Sequence, residues 1–162
     1  MTRASTFGML AAALALGGWS SLPVNPDACK LLSLNDAMAL AGPSLSPGHT
    51  ESNASFSTCV YSQPNQNPMV AQNHVEIHYW LMTDLPSAQA KFQKVVHPGP
   101  MAGTTITAVP KLGDEAYIKR TPDLTVNSIE FRRGVAIVSI GVSPIVNDTL
   151  LKTAAVKAMS RL

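Results

Sequence analysis

The run NHVEIHYWLM, residues 73–82, alternates without a break: Val75, Ile77, Tyr79 and Leu81 fall on one side, His74, Glu76, His78 and Trp80 on the other. A period of two is the pleat of a strand with one buried face. Directly after it the period lengthens. Leu85, Ala88, Phe92, Val95 and Val96 recur at helical spacing behind Asp84, a capping residue, and His97-Pro98-Gly99-Pro100 stops the run. Upstream, Ser33 and Asp36 form a capping pattern ahead of Leu34, Met38 and Leu40, and Gly42-Pro43 ends a short helix over 34–41. Phe56 to Ser62 reads as a strand. The stretches from Pro43 to Ala54 and from Gln63 to Gln72 are rich in Pro, Ser, Asn and Gln, so they read as loops.

Downstream, Thr104 to Ala108 reads as a short strand, and Leu112-Gly113-Asp114 turns into EAYIKR. The segments LTVNSIEFR and VAIVSIGVS flank Arg133-Gly134, which makes a three-strand meander the economical reading. Leu151, Ala154, Ala155, Ala158 and Leu162 then form the apolar stripe of a C-terminal helix, with Lys152, Lys157 and Arg161 off it. Short connections favour sequential pairing. The pattern predicts an α+β fold: an antiparallel sheet with helices packed on one face, the other open to water or to a ligand. No convincing internal repeat occurs, although helix-strand-strand followed by helix-strand-strand-strand hints at a loose duplication.

The N-terminus changes the setting. Arg3 precedes an apolar run from Phe7 to Gly18 that ends in small residues, the pattern of a secretory signal peptide over residues 1–20 with cleavage after Ser20. The run is shorter than the roughly 20 apolar residues a membrane span needs. A retained anchor is the alternative. Cleavage leaves residues 21–162 as one domain, and losing Arg3 lowers the formal charge from +2 to +1. No nucleic-acid groove or polybasic membrane surface is indicated, and no stable membrane insertion is expected after cleavage. Only two cysteines occur, Cys29 and Cys59. In an exported chain such a pair predicts a disulfide.

CKLLSLNDAMALAG, CVY, LGDEAYI and RRGVAIVSIGV together resemble a broad group of small exported bacterial domains, many of them lipoproteins of unknown function. The shared features are a cysteine before a short helix ending in glycine, a second cysteine before an aromatic, and a Gly-Leu-Gly-Asp-like turn. Two positions depart from that pattern: Lys111 stands where the turn has its first glycine, and no lipid-attachment cysteine follows the leader. The resemblance implies an exported α+β domain with a disulfide and carries no chemistry.

The sharpest constellation is His74, Glu76 and His78 on one strand face. These are ligand types of zinc and non-haem iron sites. Residues two apart on a strand lie about 6 to 7 Å apart, so neighbours can share an ion while the outer pair, at about 13 Å, cannot without a bend. A solvated polar face explains the alternation equally well. Trp80 continues that face, as an anchor for a partner or a sugar or as a residue beneath a covering loop. His49 and His97 read as loop surface. Lys119-Arg120 and Arg132-Arg133 fall at different ends of a meander and do not make one anion site, and the neighbours Asp114 and Glu115 point apart on a strand. No nucleophile elbow, phosphate loop or dinucleotide fingerprint occurs, and no cofactor is indicated. The expectation is a non-catalytic exported binding or interaction module of the cell envelope, using His74, His78 and Trp80 toward a protein or small-molecule ligand. The alternative is a metal-binding protein or metal-dependent hydrolase using His74, Glu76 and His78.

Overall fold

The computed structural model describes residues 27–64, 73–99, 103–121 and 126–162. The expected leader and cleavage position lie outside the described residues. Seven strands form one antiparallel sheet: β1 (His49–Asn53), β2 (Phe56–Ser62), β3 (His74–Leu81), β4 (Thr105–Ala108), β5 (Glu115–Thr121), β6 (Val126–Arg133) and β7 (Ala136–Ser143). They lie in the order β1-β2-β3-β7-β6-β5-β4. Two meanders therefore meet at a central seam, where β3 pairs with β7 and sets Val75 opposite Val142 and Ile77 opposite Ile140.

Each helix starts where a side chain satisfies the free N–H groups of its first turn. In α1 (Leu34–Ala41) the Ser33 hydroxyl accepts from the Asp36 N–H while the Asp36 carboxylate accepts from the Ser33 N–H, a complete capping box. Asp84 accepts from the Ser87 N–H at the head of α2 (Leu85–Val96), and Asn147 from the Leu150 N–H at the head of α3 (Asp148–Met159).

On the first sheet face, Ile77, Ile118, Ile129, Phe131 and Ile140 pack against α1, α3 and a 3-10 turn at Ala28–Lys30, in the larger of two apolar clusters. The expectation that all helices share this face holds for α1 and α3 and fails for α2. Ala88, Phe92 and Val96 of α2 close on Ile137, flanked by Trp80 and Tyr117, on the opposite face. The topology gives the reason. β3 sits in the middle of the sheet while β4 is its far edge, so the chain must cross three strands, and it does so as an amphipathic helix that buries its apolar stripe on the way.

β1 is a second departure, since Pro43 to Ala54 reads as loop. HTESN carries no apolar residue and every position is exposed, so it has no period to detect. Only its ladder with β2, Thr50 opposite Cys59, makes it a strand. The expected disulfide is present: Cys29, in the 3-10 turn, bonds Cys59 in β2. Among the described residues no helix is long and apolar enough to cross a membrane.

The turn before β5 accounts for the departure at Lys111, which has φ +62°, the left-handed region where glycine is favoured. Gly113 has φ +61°, and a Cβ there would stand 2.4 Å from the Arg132 carbonyl oxygen. The turn is thereby pressed onto β6, where the Asp114 carboxylate accepts from the Gly134 N–H at 2.8 Å. Lys111 is exposed, so Lys111→Gly relieves strain without losing packing. Part of the gain is offset by the freer unfolded chain, and a net stabilisation of roughly 0.5 kcal/mol is expected in urea unfolding.

Candidate functional site

Antiparallel register fixes what the second face presents beyond the end covered by α2. One cross-strand row runs Thr58, His78, Ser139, Glu130, Tyr117; the next runs Val60, Glu76, Gly141, Ser128, Lys119. On β7, at the centre of both rows, stand Ser139 and Gly141. These small residues leave a lane between longer side chains of β3 and β6, which are two strand spacings apart, about 10 Å. A Cβ built on Gly141 meets nothing nearer than the Glu76 carbonyl oxygen at 3.9 Å, so a methyl group would fit at this position, while Ser139 and Ser128 beside it are buried.

The β3 wall is held in place by its own contacts. His78 Nε2 lies 3.0 Å from Glu76 Oε1, and its Nδ1 lies 3.3 Å from the Thr58 hydroxyl. The hydrogen bond from His78 holds the Glu76 carboxyl below its ordinary value, against the opposing effect of burial. The His78 ring packs against Phe56, at 5.8 Å and 17°, and Trp80, at 5.4 Å and 19°, and with those two rings 5.3 Å from each other the three form a triangle. Lys91 of α2 places its Nζ over the Trp80 ring, 4.9 Å from the centroid. Trp80 is thus packed under a helix rather than a loop, with its ring already engaged.

The β6 wall holds the residue that pattern reading passes over. Glu130 is 0% exposed. Its Oε1 accepts from the Ser128 hydroxyl at 2.7 Å and the Ser139 hydroxyl at 3.4 Å, and stands 3.4 Å from Lys119 Nζ. Among the described residues its Oε2 has no hydrogen-bond partner. Burial pushes the Glu130 carboxyl up, and Lys119 and the two serines only partly counter it. Lys119 also donates to the Val95 carbonyl, near the C-terminal end of α2. In sequence, Ser128 and Glu130 occupy the polar phase of β6 and look like any outward-facing pair. The available signal was α2 itself, whose apolar stripe needs a sheet surface and so buries part of that phase.

The remaining candidates separate. His74 stands one row beyond Glu76, opposite Ser143. Among the described residues no group of three or more His, Cys, Asp or Glu side chains is arranged to hold a metal ion, and Glu76 is engaged with His78. His49 opens β1 and His97 ends α2, both exposed. Asp114 and Glu115 converge after all, because Asp114 precedes the strand: the buried Arg132 guanidinium reaches them at 2.8 and 2.9 Å. Arg120 pairs with Asp148, while Arg133 donates to the Met159 carbonyl. The four basic residues are therefore tied into separate structural contacts, not one anion site.

No protein-family model matches the chain, and no curated protein matches its sequence.

Proposed function

We propose that the chain is a non-catalytic, exported binding module of the bacterial cell envelope, and that its ligand lies on the second sheet face. The contact surface runs along the lane over β7, beside His74 and His78, with Trp80 at its α2 end. The observation that carries this reading is the β3 row, where Glu76 and His78, 37% and 29% exposed, are held by each other, by Thr58 and by the Phe56 and Trp80 rings and still face outward. A polar pair positioned in this way before any ligand binds loses little freedom when one does. The Cys29–Cys59 disulfide suits an oxidising compartment, the setting that the leader-like N-terminus and the resemblance to exported bacterial domains imply.

The test is to record amide spectra of the purified domain with chitobiose, a short unstructured peptide, spermidine and zinc chloride, each alone. Shifts clustered at Ser139, Gly141 and His78 with at least one compound are expected, and Gly141→Leu, which fills the lane, should abolish them at unchanged melting temperature. Zinc shifts lost in a His74→Ala/His78→Ala variant would replace this reading with the metal-binding one. Shifts scattered elsewhere, or none, would overturn it.

A further inference from the structure

We infer that the β4 edge of the sheet pairs with a second copy of this chain, the two β4 strands running antiparallel about a two-fold axis at Ile106 and joining both sheets into one. The contact lies at the far edge from β3 and stands whether or not the ligand face above is used.

The β4 edge is open and its free backbone groups can be assigned. The sheet ends on β1 at one side and on β4 at the other. All four residues of β4 are exposed, so no helix overhangs this strand on either face. The Val109 N–H donates to the Ala116 carbonyl at 2.8 Å, in the register that sets Thr107 opposite Ile118 and Thr105 opposite Arg120. Antiparallel ladders alternate between pairs that exchange hydrogen bonds and pairs that do not. Thr105 and Thr107 are therefore bonded to β5, while Ile106 and Ala108 turn their N–H and C=O groups to the open edge. Thr104 continues that phase, its hydroxyl 3.3 Å from the hydroxyl of Thr121 on β5.

Charge separates the two edges of the sheet. Edge strands are commonly guarded by charged side chains or proline. β1 has such a guard: Glu51 is the middle residue of HTESN, and an antiparallel copy centred there would set Glu51 against Glu51. β4 reads TITA, with no charge and no proline, and its Ile106 is 36% exposed. The cations on the neighbouring strand are already neutralised within the chain, Lys119 by Glu130 and Arg120 by Asp148.

The strand is also complementary to itself. With the axis at Ile106, that residue faces its own copy and Thr104 faces the copy's Ala108, so each outward N–H meets an outward C=O. Thr105 then faces the copy's Thr107, a favourable cross-strand pair on the other face. An axis at Thr107 would instead set Thr104 against Pro110, which has no N–H. Such an interface is isologous and closes at two chains. It is short, so the association is weak and depends on concentration.

The deciding experiment is sedimentation equilibrium of the purified, disulfide-bonded protein from about 10 μM to about 1 mM, with amide spectra recorded over the same dilution. A monomer–dimer equilibrium is expected, with dilution shifts at Ile106 and Ala108. Ile106→Lys sets like charges opposite each other and should weaken the dimer at least about tenfold. Ile106→Pro deletes an outward N–H that the β4–β5 ladder does not use and should weaken it as well. Position 106 is exposed, so Ile106→Lys carries the test if the proline variant fails to fold. A monomer at every concentration, or a dimer equally tight in Ile106→Lys, would overturn the inference. Dilution shifts at His49–Asn53, or species larger than a dimer, would place the contact on the β1 edge or between unlike edges and overturn it too.

Discussion

Breaking the Cys29–Cys59 bond, by reductant or by a Cys29→Ala/Cys59→Ala variant, is expected to lower the unfolding free energy by about 3 to 4 kcal/mol. The two cysteines are 30 residues apart in sequence, and the bond closes the whole segment holding α1 and β1 into one loop. That segment has little else to restrain it when unfolded, since Pro43 to Ala54 is polar and β1 buries no side chain. In the folded state the same junction is supported from several sides. The Tyr61 hydroxyl donates to the Leu32 carbonyl at 2.6 Å, and the Ala28 N–H donates to the Ser57 hydroxyl at 3.0 Å. These contacts survive loss of the bond, so the fold should persist in a weakened form, with a melting temperature lower by on the order of 10 °C. Urea unfolding with and without reductant measures the difference. A loss below about 1 kcal/mol would mean that the unfolded segment is already compact and gains little from the crosslink. Gly48 provides an independent probe of the same spot: its Cβ would lie 2.5 Å from Cys59 Sγ and 3.0 Å from Cys29 Sγ, so Gly48→Ala should destabilise the oxidised protein too.

Much of this fold is legible in the chain because several elements bury one side only. The β3 alternation, the stripe of α2 and the caps at Ser33 and Asp84 each encode a local choice, and the structure places β2, β3 and the heads of α1 and α2 where those signals put them. Legibility fails where burial is absent or doubled. β1 has no buried side and therefore no period. α2 is a clear amphipathic helix, but nothing in its own residues says which face of the sheet it meets; that follows from where β3 and β4 lie in the strand order. A local pattern cannot contain that fact.

The candidate site shows the same division. His74, Glu76, His78 and Trp80 stood out because they share one phase of one strand. Glu130 did not, because its significance comes from two other strands and a helix. Ser139 and Ser128 supply its hydrogen bonds, Lys119 its counter-charge and α2 part of its surroundings. A glutamate between Ile129 and Phe131 looks solvent-facing until the sheet acquires a second cover. Residues that gain their role from long-range packing leave the weakest trace in sequence, and here the buried carboxyl is one of them.

Asp36 is a second carboxylate whose long-range role, beyond the cap that the sequence shows, is visible only in three dimensions, and replacing it should cost about 2 to 3 kcal/mol. One side chain there serves three elements. It completes the capping box of α1 through Ser33, and it receives Lys157 at 2.6 Å and Arg161 at 3.0 Å from the C-terminal helix and the residues after it. The cap alone is worth about 1 kcal/mol. The two charge-assisted bonds add a further 1 to 2 kcal/mol, discounted because Lys157 and Arg161 are themselves well exposed. Asp36→Asn keeps an acceptor for the cap and should lose only the ionic part. The pH dependence separates these contributions. Burial works to raise the Asp36 carboxyl, but Lys157, Ser33 and Arg161 outweigh it and hold it well below the ordinary carboxylate range. A lowered carboxyl binds its proton more weakly in the folded chain than in the unfolded one. Its stabilisation is therefore complete above about pH 4 and drains away as the pH falls below that. Glu130 has the opposite sign: its raised carboxyl favours the fold at low pH and weakens it as pH rises beyond the ordinary glutamate value. Stability should consequently fall on both sides of an optimum. Asp36→Asn should flatten the acid limb and leave the other limb in place, and unfolding free energies measured between pH 2 and pH 8 for both proteins decide it. An acid limb as steep in Asp36→Asn as in wild type would assign acid unfolding to other carboxylates, and the tie between α1 and the C-terminal helix would then be a packing contact rather than an ionic one.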